Sequence, residues 1–170
     1  MRSMLRALLA LASAWPLMAC NPVVFSAEQR YEVFDVELMD TSGNTLGGIE
    51  AGLVTGAAIT LDTSFALHLL HTYELSSKAT LKTSFPVTPI PMTRELPYSE
   101  QGDWSQLDDQ TLELTAADGT KATMVLEQKD GSRVHHVIPT AKFGVFLPPF
   151  DGLNGKQLKI RLKALPSPTG

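Results

Sequence analysis

Cysteine is almost absent from this chain, since Cys20 is the only one among 170 residues. A lone thiol cannot form a disulfide within the chain, and it cannot supply the several thiolates of a structural zinc site. Only four histidines remain as further soft ligands. We therefore expect no disulfide framework and no zinc–thiolate site, and we assign no metal ligand and no cofactor.

A basic excess and a long apolar run are also missing. The chain has 14 Lys and Arg against 18 Asp and Glu, for a formal net charge of −4. Nucleic-acid binding depends on basic side chains that neutralise phosphates, so we expect no nucleic-acid partner. No stretch free of charges and prolines approaches the ~20 residues that a membrane-spanning helix needs.

Catalytic motifs are lacking as well. The chain has no G-x-S-x-G nucleophile elbow, and it has no P-loop, no G-x-G-x-x-G and no H-E-x-x-H motif. Glu50, Asp103, Asp108 and Asp109 have the spacing of loop acids rather than of a glycosidase carboxylate pair. We therefore predict that the protein is not an enzyme and assign no catalytic residue.

The N-terminus has the order of a secretory signal peptide. Arg2 and Arg6 supply the positive charge, an apolar run covers 5–15, and Ala19 is a small residue at the cleavage position. Residues 17–20, Leu-Met-Ala-Cys, resemble the lipobox of bacterial lipoproteins. The resemblance implies cleavage before Cys20 and acylation of its thiol. Two or three acyl chains anchor a protein firmly. The alternative is an ordinary cysteine inside a cleaved signal peptide.

The lipobox implies a domain division and a location. We assign 1–19 to the signal peptide, 20–30 to a lipidated tether, 31–165 to a single β domain and 166–170 to a flexible tail. Removing 1–19 takes away Arg2 and Arg6 and no acid, so the net charge becomes −6. Asn21 stands where an aspartate would resemble an inner-membrane retention signal. We therefore expect an outer-membrane lipoprotein facing the periplasm, with display at the cell surface left open.

Alternation with a period of two predicts strands along the β domain. Residues 31–39 and 158–164 alternate apolar and charged positions, and Asp118-Gly119 and Asp130-Gly131 are hairpin signals. Strands that recur about every ten residues favour a small all-β domain, an antiparallel barrel or sandwich.

Four segments are interpreted with less support from periodicity. Residues 65–75 read as one strand, with a helix over 64–75 as the competing interpretation. Polar residues at 62–64 and 76–78 indicate turns on either side. Four prolines between 86 and 100 predict a loop, because proline cannot donate to a sheet ladder.

A family resemblance covers residues 47–128. The order of the segments at 48–50, 58–62, 65–73, 102–104 and 111–114 is similar to that of lipocalin-like envelope lipoproteins of the NlpE type. Small lipoprotein inhibitors of lysozyme share a comparable barrel. NlpE-type domains carry a paired-cysteine metal motif near their start, whereas 47–56 has no cysteine here. The resemblance therefore implies architecture and location, and no metal or redox role.

Two surfaces are candidates for binding a partner or ligand. Lys159, Arg161 and Lys163 occupy successive outward positions of the last strand and would form a basic ridge. The alternative is an edge strand whose charges prevent aggregation. Tyr98 and Trp104, together with 143–150, would line the mouth of a barrel. The alternative for Trp104 is a plug in the core.

The four histidines form two pairs. His68 and His71 have a spacing that chelates on a helix but diverges on a strand, and the neighbours His135 and His136 also diverge on a strand. A metal site that joins one histidine of each pair is left open.

These observations predict a binding protein rather than an enzyme. The expected partner is an envelope protein, a cell-wall fragment or a hydrophobic small molecule, captured close to the membrane by the anchored domain. Two alternatives remain open: a lysozyme-inhibitor-like protein that uses 86–100 as its contact, and an accessory or pilotin lipoprotein of a secretion or assembly machine.

Overall fold

Most of the described chain consists of strands whose side chains alternate between buried and exposed positions. The computed structural model describes residues 28–48, 57–68, 70–83, 92–128, 130–148 and 150–166. The strands, in chain order, are β1 (Gln29–Met39), β2 (Thr45–Gly48), β3 (Ala57–Leu67), β4 (Thr72–Thr83), β5 (Thr93–Gln106), β6 (Thr111–Ala116), β7 (Lys121–Leu126), β8 (Arg133–Pro139) and β9 (Gln157–Ala164). The described residues contain no α-helix, and two short 3₁₀ helices lie between β8 and β9.

Eight antiparallel strands close into a barrel. Each strand from β3 to β9 pairs with the next, and β1 completes the ring by pairing with β9 on one edge and β3 on the other. The short β2 pairs with the far end of β1, along the edge that β3 leaves free. The prediction of an all-β antiparallel domain is confirmed, and of the two architectures considered the chain adopts the barrel.

The barrel interior is filled by alternate side chains of every strand in the ring. Phe65 of β3 illustrates the packing, because its ring lies 6.0 Å from that of Tyr31 on β1 and 5.8 Å from that of Tyr73 on β4. Leu114 of β6 and Ile160 of β9 are fully buried in the same interior. An eight-stranded barrel is wide enough to be filled by side chains or to hold one small ligand.

Gly102 lies where β5 acquires its second neighbour. It pairs with Tyr73 of β4 and with Ala116 of β6. A Cβ atom at this position would lie 2.0 Å from the carbonyl oxygen of Thr115. Only glycine therefore allows β6 to approach β5 this closely, and the pairing of the two strands begins at this residue.

The interpretation of 65–75 as one strand is wrong, and the competing helix is not formed. β3 ends at Leu67 and β4 starts at Thr72, so the chain reverses through 68–71. His71, at a φ of 62°, adopts the left-handed backbone that such a tight reversal requires. Phe65 and Tyr73 both point into the core, because both strands keep their odd-numbered residues inside.

The predicted turns at 62–64 and 76–78 are wrong as well. Both segments lie inside strands and pair with each other in register: Asp62 with Lys78, Thr63 with Ser77 and Ser64 with Ser76. The hydroxyls of Thr63 and Ser77 are buried and lie 2.9 Å apart, which is hydrogen-bond distance. The two polar segments pair with each other across the sheet, so neither has to form a turn at the surface.

The predicted loop over 86–100 is wrong for its second half. Residues 93–100 belong to β5 and pair with β4, and Pro97 lies opposite Lys78. The described pairing of β5 with β6 begins only at Gly102. Pro97 thus occupies a stretch that is paired on one edge, where a missing N–H is tolerated. Residues 84–91 lie outside the described part of the chain.

The connection between β8 and β9 caps one end of the barrel. Phe143, Phe146, Phe150 and Leu153 are buried against the core. The Asn154 side chain accepts a hydrogen bond from the Phe146 N–H at 2.9 Å and donates one to the Phe146 carbonyl at 2.8 Å. The apolar segment 143–150 thus packs inward through its aromatic rings.

Candidate functional site

The predicted lipidation site cannot be located, because Cys20 and the rest of 1–27 lie outside the described residues, as do 167–170. Within the described part of the chain, no helix has the length and apolarity to cross a membrane. In that same part, no group of three or more His, Cys, Asp and Glu side chains is placed to hold a metal ion.

The predicted basic ridge is matched by acids on the neighbouring strand. Lys159, Arg161 and Lys163 stand opposite Glu37, Asp35 and Glu32, in that order, in the register of β1 and β9. Lys163 Nζ lies 2.9 Å from a Glu32 carboxylate oxygen. The alternative interpretation as an edge strand is wrong, since β9 pairs on both sides. These basic side chains instead belong to the seam that closes the barrel.

Arg161 is the centre of that seam. Its guanidinium lies 3.1 Å from Asp35, 3.4 Å from Glu37 and 3.3 Å from Glu127. Asp35 and Glu37 lie on β1, and Glu127 follows the end of β7. A cation with three anionic neighbours is already neutralised, so it offers little positive charge to an acidic partner.

Trp104 lies inside the barrel end rather than on a surface. Its side chain is buried, with 7% exposed, and its ring stacks on that of His71 at 4.4 Å. The indole N–H donates to the carbonyl of His68 at 3.2 Å. Trp104 therefore fastens the β3–β4 turn to β5, which is the position of a plug.

The two histidine pairs are held by separate neighbours. In the second pair the rings lie on opposite faces of β8: His135 Nδ1 is 3.2 Å from Glu127, whereas His136 is buried and its Nδ1 donates to the carbonyl of Thr123 at 2.9 Å. Burial lowers the pKa of both rings below the ordinary value. His68 and His71 lie in the turn at the other side of the ring.

A cluster of ionisable and hydrogen-bonding side chains surrounds Glu100 of β5. Its side chain is only 12% exposed. The hydroxyl of Tyr73 donates to one carboxylate oxygen at 2.7 Å, and the hydroxyl of Tyr98 donates to the other. Lys142, on the 3₁₀ helix Thr140–Phe143, places its ammonium 3.2 Å from that second oxygen. We call Tyr73, Tyr98, Glu100 and Lys142 the Glu100 cluster.

The cluster keeps Glu100 ionised. Burial by itself raises the pKa of this carboxyl, but the hydrogen bonds from Tyr98, Tyr73 and Lys142 outweigh burial and lower it below the ordinary value. Burial and the bond to Glu100 raise the pKa of both tyrosines, so their hydroxyls stay protonated as donors. The site is a largely buried carboxylate whose counter-ion, the Lys142 ammonium, is more exposed to solvent.

Three members of the cluster line a pocket of about 1030 Å³. Tyr98, Glu100 and Lys142 line it together with apolar residues of β1, β3 and β4, among them Tyr31 and Phe65. Pockets of this size hold drug-sized molecules. Four acids (Glu28, Glu74, Glu100 and Asp118) and two basic residues (Arg30 and Lys142) stand beside the apolar part of the lining. An apolar wall with a few polar groups is the pattern of a binding site.

Local backbone rules place each member of the cluster. On β5 the residues 96, 98, 100, 102 and 104 share one face, which turns toward the core. Tyr73 begins the inward face of β4, and Lys142 follows β8 through the 3₁₀ helix. Of these, sequence analysis named only Tyr98. The signal for Glu100 is its spacing of two from Tyr98, which becomes visible only once 93–100 is known to be a strand.

Comparison of the chain with protein-family models, with curated proteins and with solved structures found no match.

Proposed function

We propose that the protein is a membrane-anchored envelope lipoprotein whose β-barrel is a binding domain. The observation that carries the binding role is the Glu100 cluster, an ionised carboxylate set into the wall of a pocket of about 1030 Å³. The anchor rests on the lipobox-like residues 17–20 behind a basic and apolar N-terminus. We assign no catalytic role to any residue.

The tether limits how far the barrel can lie from the bilayer. Nine positions separate Cys20 from Gln29, where β1 starts. A fully extended chain of that length spans about 30 Å. Confinement to this layer raises the effective concentration of the pocket near membrane-bound partners or amphiphilic ligands. Binding is therefore favoured over the same domain free in solution.

The anchor is tested by membrane fractionation after crosslinking in cells. The protein would carry a C-terminal tag and be compared with its Cys20→Ala variant. We expect wild type in the outer-membrane fraction with one discrete crosslinked product, and we expect Cys20→Ala to lose both the fractionation and the product. Identical fractionation of the two proteins would refute the lipobox and with it the envelope assignment.

A second variant serves as a matched control. Asn21→Asp keeps the cysteine and introduces the residue that resembles an inner-membrane retention signal. We expect this variant to be membrane-bound but to shift to the inner membrane. The identity of the crosslinked product distinguishes the alternatives, because a lysozyme marks an inhibitor and a secretion-machine subunit marks an accessory lipoprotein.

A further inference from the structure

The two charges of the Glu100 cluster are held very differently. Glu100 lies on β5, which is paired with β4 along this stretch, and it accepts hydrogen bonds from two tyrosines. Lys142 lies on a four-residue 3₁₀ helix and its side chain is 30% exposed. The carboxylate is therefore fixed, whereas the ammonium can leave toward solvent.

The strand that carries Glu100 has one edge without a described strand partner. Pairing of β5 with β6 starts at Gly102, so the stretch with Tyr98 and Glu100 pairs only with β4. The 3₁₀ helix lies against this stretch through the Glu100–Lys142 ion pair and through the rings of Tyr98 and Phe143, which are 5.5 Å apart. It ends at Phe143 and is followed by Gly144, at a φ of 100°. Lys142 thus covers the charged position of the pocket.

Desolvation decides which sign of ligand charge the site accepts. A ligand cation that replaces Lys142 leaves Glu100 paired and releases the lysine ammonium into water. A ligand anion that binds Lys142 instead leaves Glu100 buried without its counter-ion, which is strongly unfavourable. Glu28, Glu74 and Asp118 also line this pocket, with Arg30 as the one cation besides Lys142, so the lining has an excess of negative charge. The cluster therefore selects for a cation.

The aromatic face beside the carboxylate supports the same choice. The Lys142 ammonium lies 5.8 Å from the centre of the Tyr98 ring, within the range of a cation–π contact. We propose that the pocket binds a ligand with an ammonium group on an apolar chain, and that this ammonium takes the place of Lys142 at Glu100 and Tyr98. The inference rests on the proposed binding function and names its ligand class.

Three six-carbon probes with a positive, a negative and a neutral head group test this assignment: hexylamine, hexanoate and 1-hexanol. Their binding to the full lipidated protein in phosphatidylcholine nanodiscs would be measured by ligand-observed NMR titration, with empty nanodiscs as the blank. We expect hexylamine to bind about tenfold more tightly than either other probe, since only hexylamine forms the charge-assisted contact.

Substitutions within the cluster give the second part of the test. Lys142→Met removes the internal ammonium and keeps an apolar side chain, so we expect hexylamine to bind several-fold more tightly. Glu100→Gln should reduce hexylamine binding to the level of hexanol. Lys121→Met is the matched control, because Lys121 forms an exposed ion pair with Glu113 at 2.7 Å away from the cluster, and it should change nothing.

The other outcomes separate this inference from the proposed function. Preferential binding of hexanoate that Lys142→Met abolishes would overturn the cation assignment while retaining a ligand-binding barrel. Equal binding of all three probes would likewise reject the role of Glu100 and retain the apolar pocket. Failure of every probe to bind either wild type or Lys142→Met would refute the ligand class, and the crosslinking experiment would then decide the proposed function separately. The Lys142→Met result stands even if Glu100→Gln fails to fold.

Discussion

At the scale of single residues, His136 is a buried titratable group whose protonation state affects the stability of the folded protein. Its ring is 3% exposed, and it is fixed by the bond from Nδ1 to the Thr123 carbonyl. Burial lowers its pKa below 6.5, with Glu100 acting to raise it and His135 to lower it. The folded protein therefore holds this imidazole neutral.

We predict that the free energy of unfolding decreases as the pH falls below about 6.5. In that window the unfolded chain takes up a proton at His136 that the folded chain does not, so acid favours unfolding by at most about 1.4 kcal/mol per pH unit. Urea unfolding between pH 7 and 5.5 measures the slope. His136→Asn keeps a donor for Thr123 and should flatten it, whereas His135→Asn should retain the part due to His136. An unchanged slope in His136→Asn would contradict this assignment.

Sequence analysis could not identify His136 as buried or Glu100 as part of a site. His135 and His136 were recognised as diverging on a strand, but the pattern does not say which ring faces inward. That choice depends on β8 pairing with both β7 and β9. For Glu100 the obstacle was the set of four prolines between 86 and 100, which argued for a loop.

At the scale of elements, the seam between β1 and β9 combines main-chain pairing with matched charges. Opposite charges that face each other across strands stabilise a sheet. Arg161 contacts Asp35, Glu37 and Glu127, whereas Lys163 contacts Glu32 at a more exposed position, 52% exposed for the lysine. The seam is therefore held unevenly along its length.

We expect Arg161→Met to destabilise the protein by about 1.5–3 kcal/mol, because three carboxylates then lose their shared donor and repel one another. Lys163→Met, the control on the same strand, should cost about 0–1 kcal/mol. Chemical denaturation of both variants gives the two values. Salt should reduce the difference, since it screens the exposed charges. Equal losses in the two variants would show that Arg161 has no special role in closure.

The strand elements also show where sequence periodicity succeeds and fails. The alternation of 158–164 was identified without error, because its apolar and charged residues belong to opposite faces. The polar stretches 62–64 and 76–78 were taken for turns because they contain Ser, Thr and Asp. They are strands because each supplies the partner for the other across fourteen residues, and a local pattern cannot contain that information.

At the scale of the whole molecule, the cap between β8 and β9 and the barrel share one core. Phe146 of the cap is 3% exposed and belongs to the same cluster as the barrel residues. Its neighbour Val145 points outward and is 72% exposed. A shared core predicts that cap and barrel unfold together.

We predict that Phe146→Ala lowers the free energy of unfolding by about 3–5 kcal/mol, the usual result of emptying a buried aromatic position. Val145→Ala should have almost no effect. Trp104 reports on the β3–β4 end of the barrel and is the only tryptophan after Trp15. Its fluorescence and the far-ultraviolet circular dichroism should therefore shift to the same lower denaturant concentration in Phe146→Ala. A circular dichroism transition that moves to lower denaturant while the Trp104 fluorescence transition stays unshifted would mean that the cap folds independently of the barrel.

The sequence by itself determined the class of the domain and the interpretation of its N-terminus. Alternation along 31–39 and 158–164 and the hairpin signals at Asp118-Gly119 and Asp130-Gly131 predict antiparallel strands with one buried face. The charged start, apolar run and Cys20 predict export and lipidation without reference to the barrel. Tertiary structure alone decided that β1 meets β9, that the basic residues of β9 face acids, and that Glu100 joins Tyr73, Tyr98 and Lys142. Each of these facts is a contact between residues distant in the chain. Such contacts depend on which strands become neighbours when the ring closes, and a periodic pattern specifies the faces of a strand but not its neighbours.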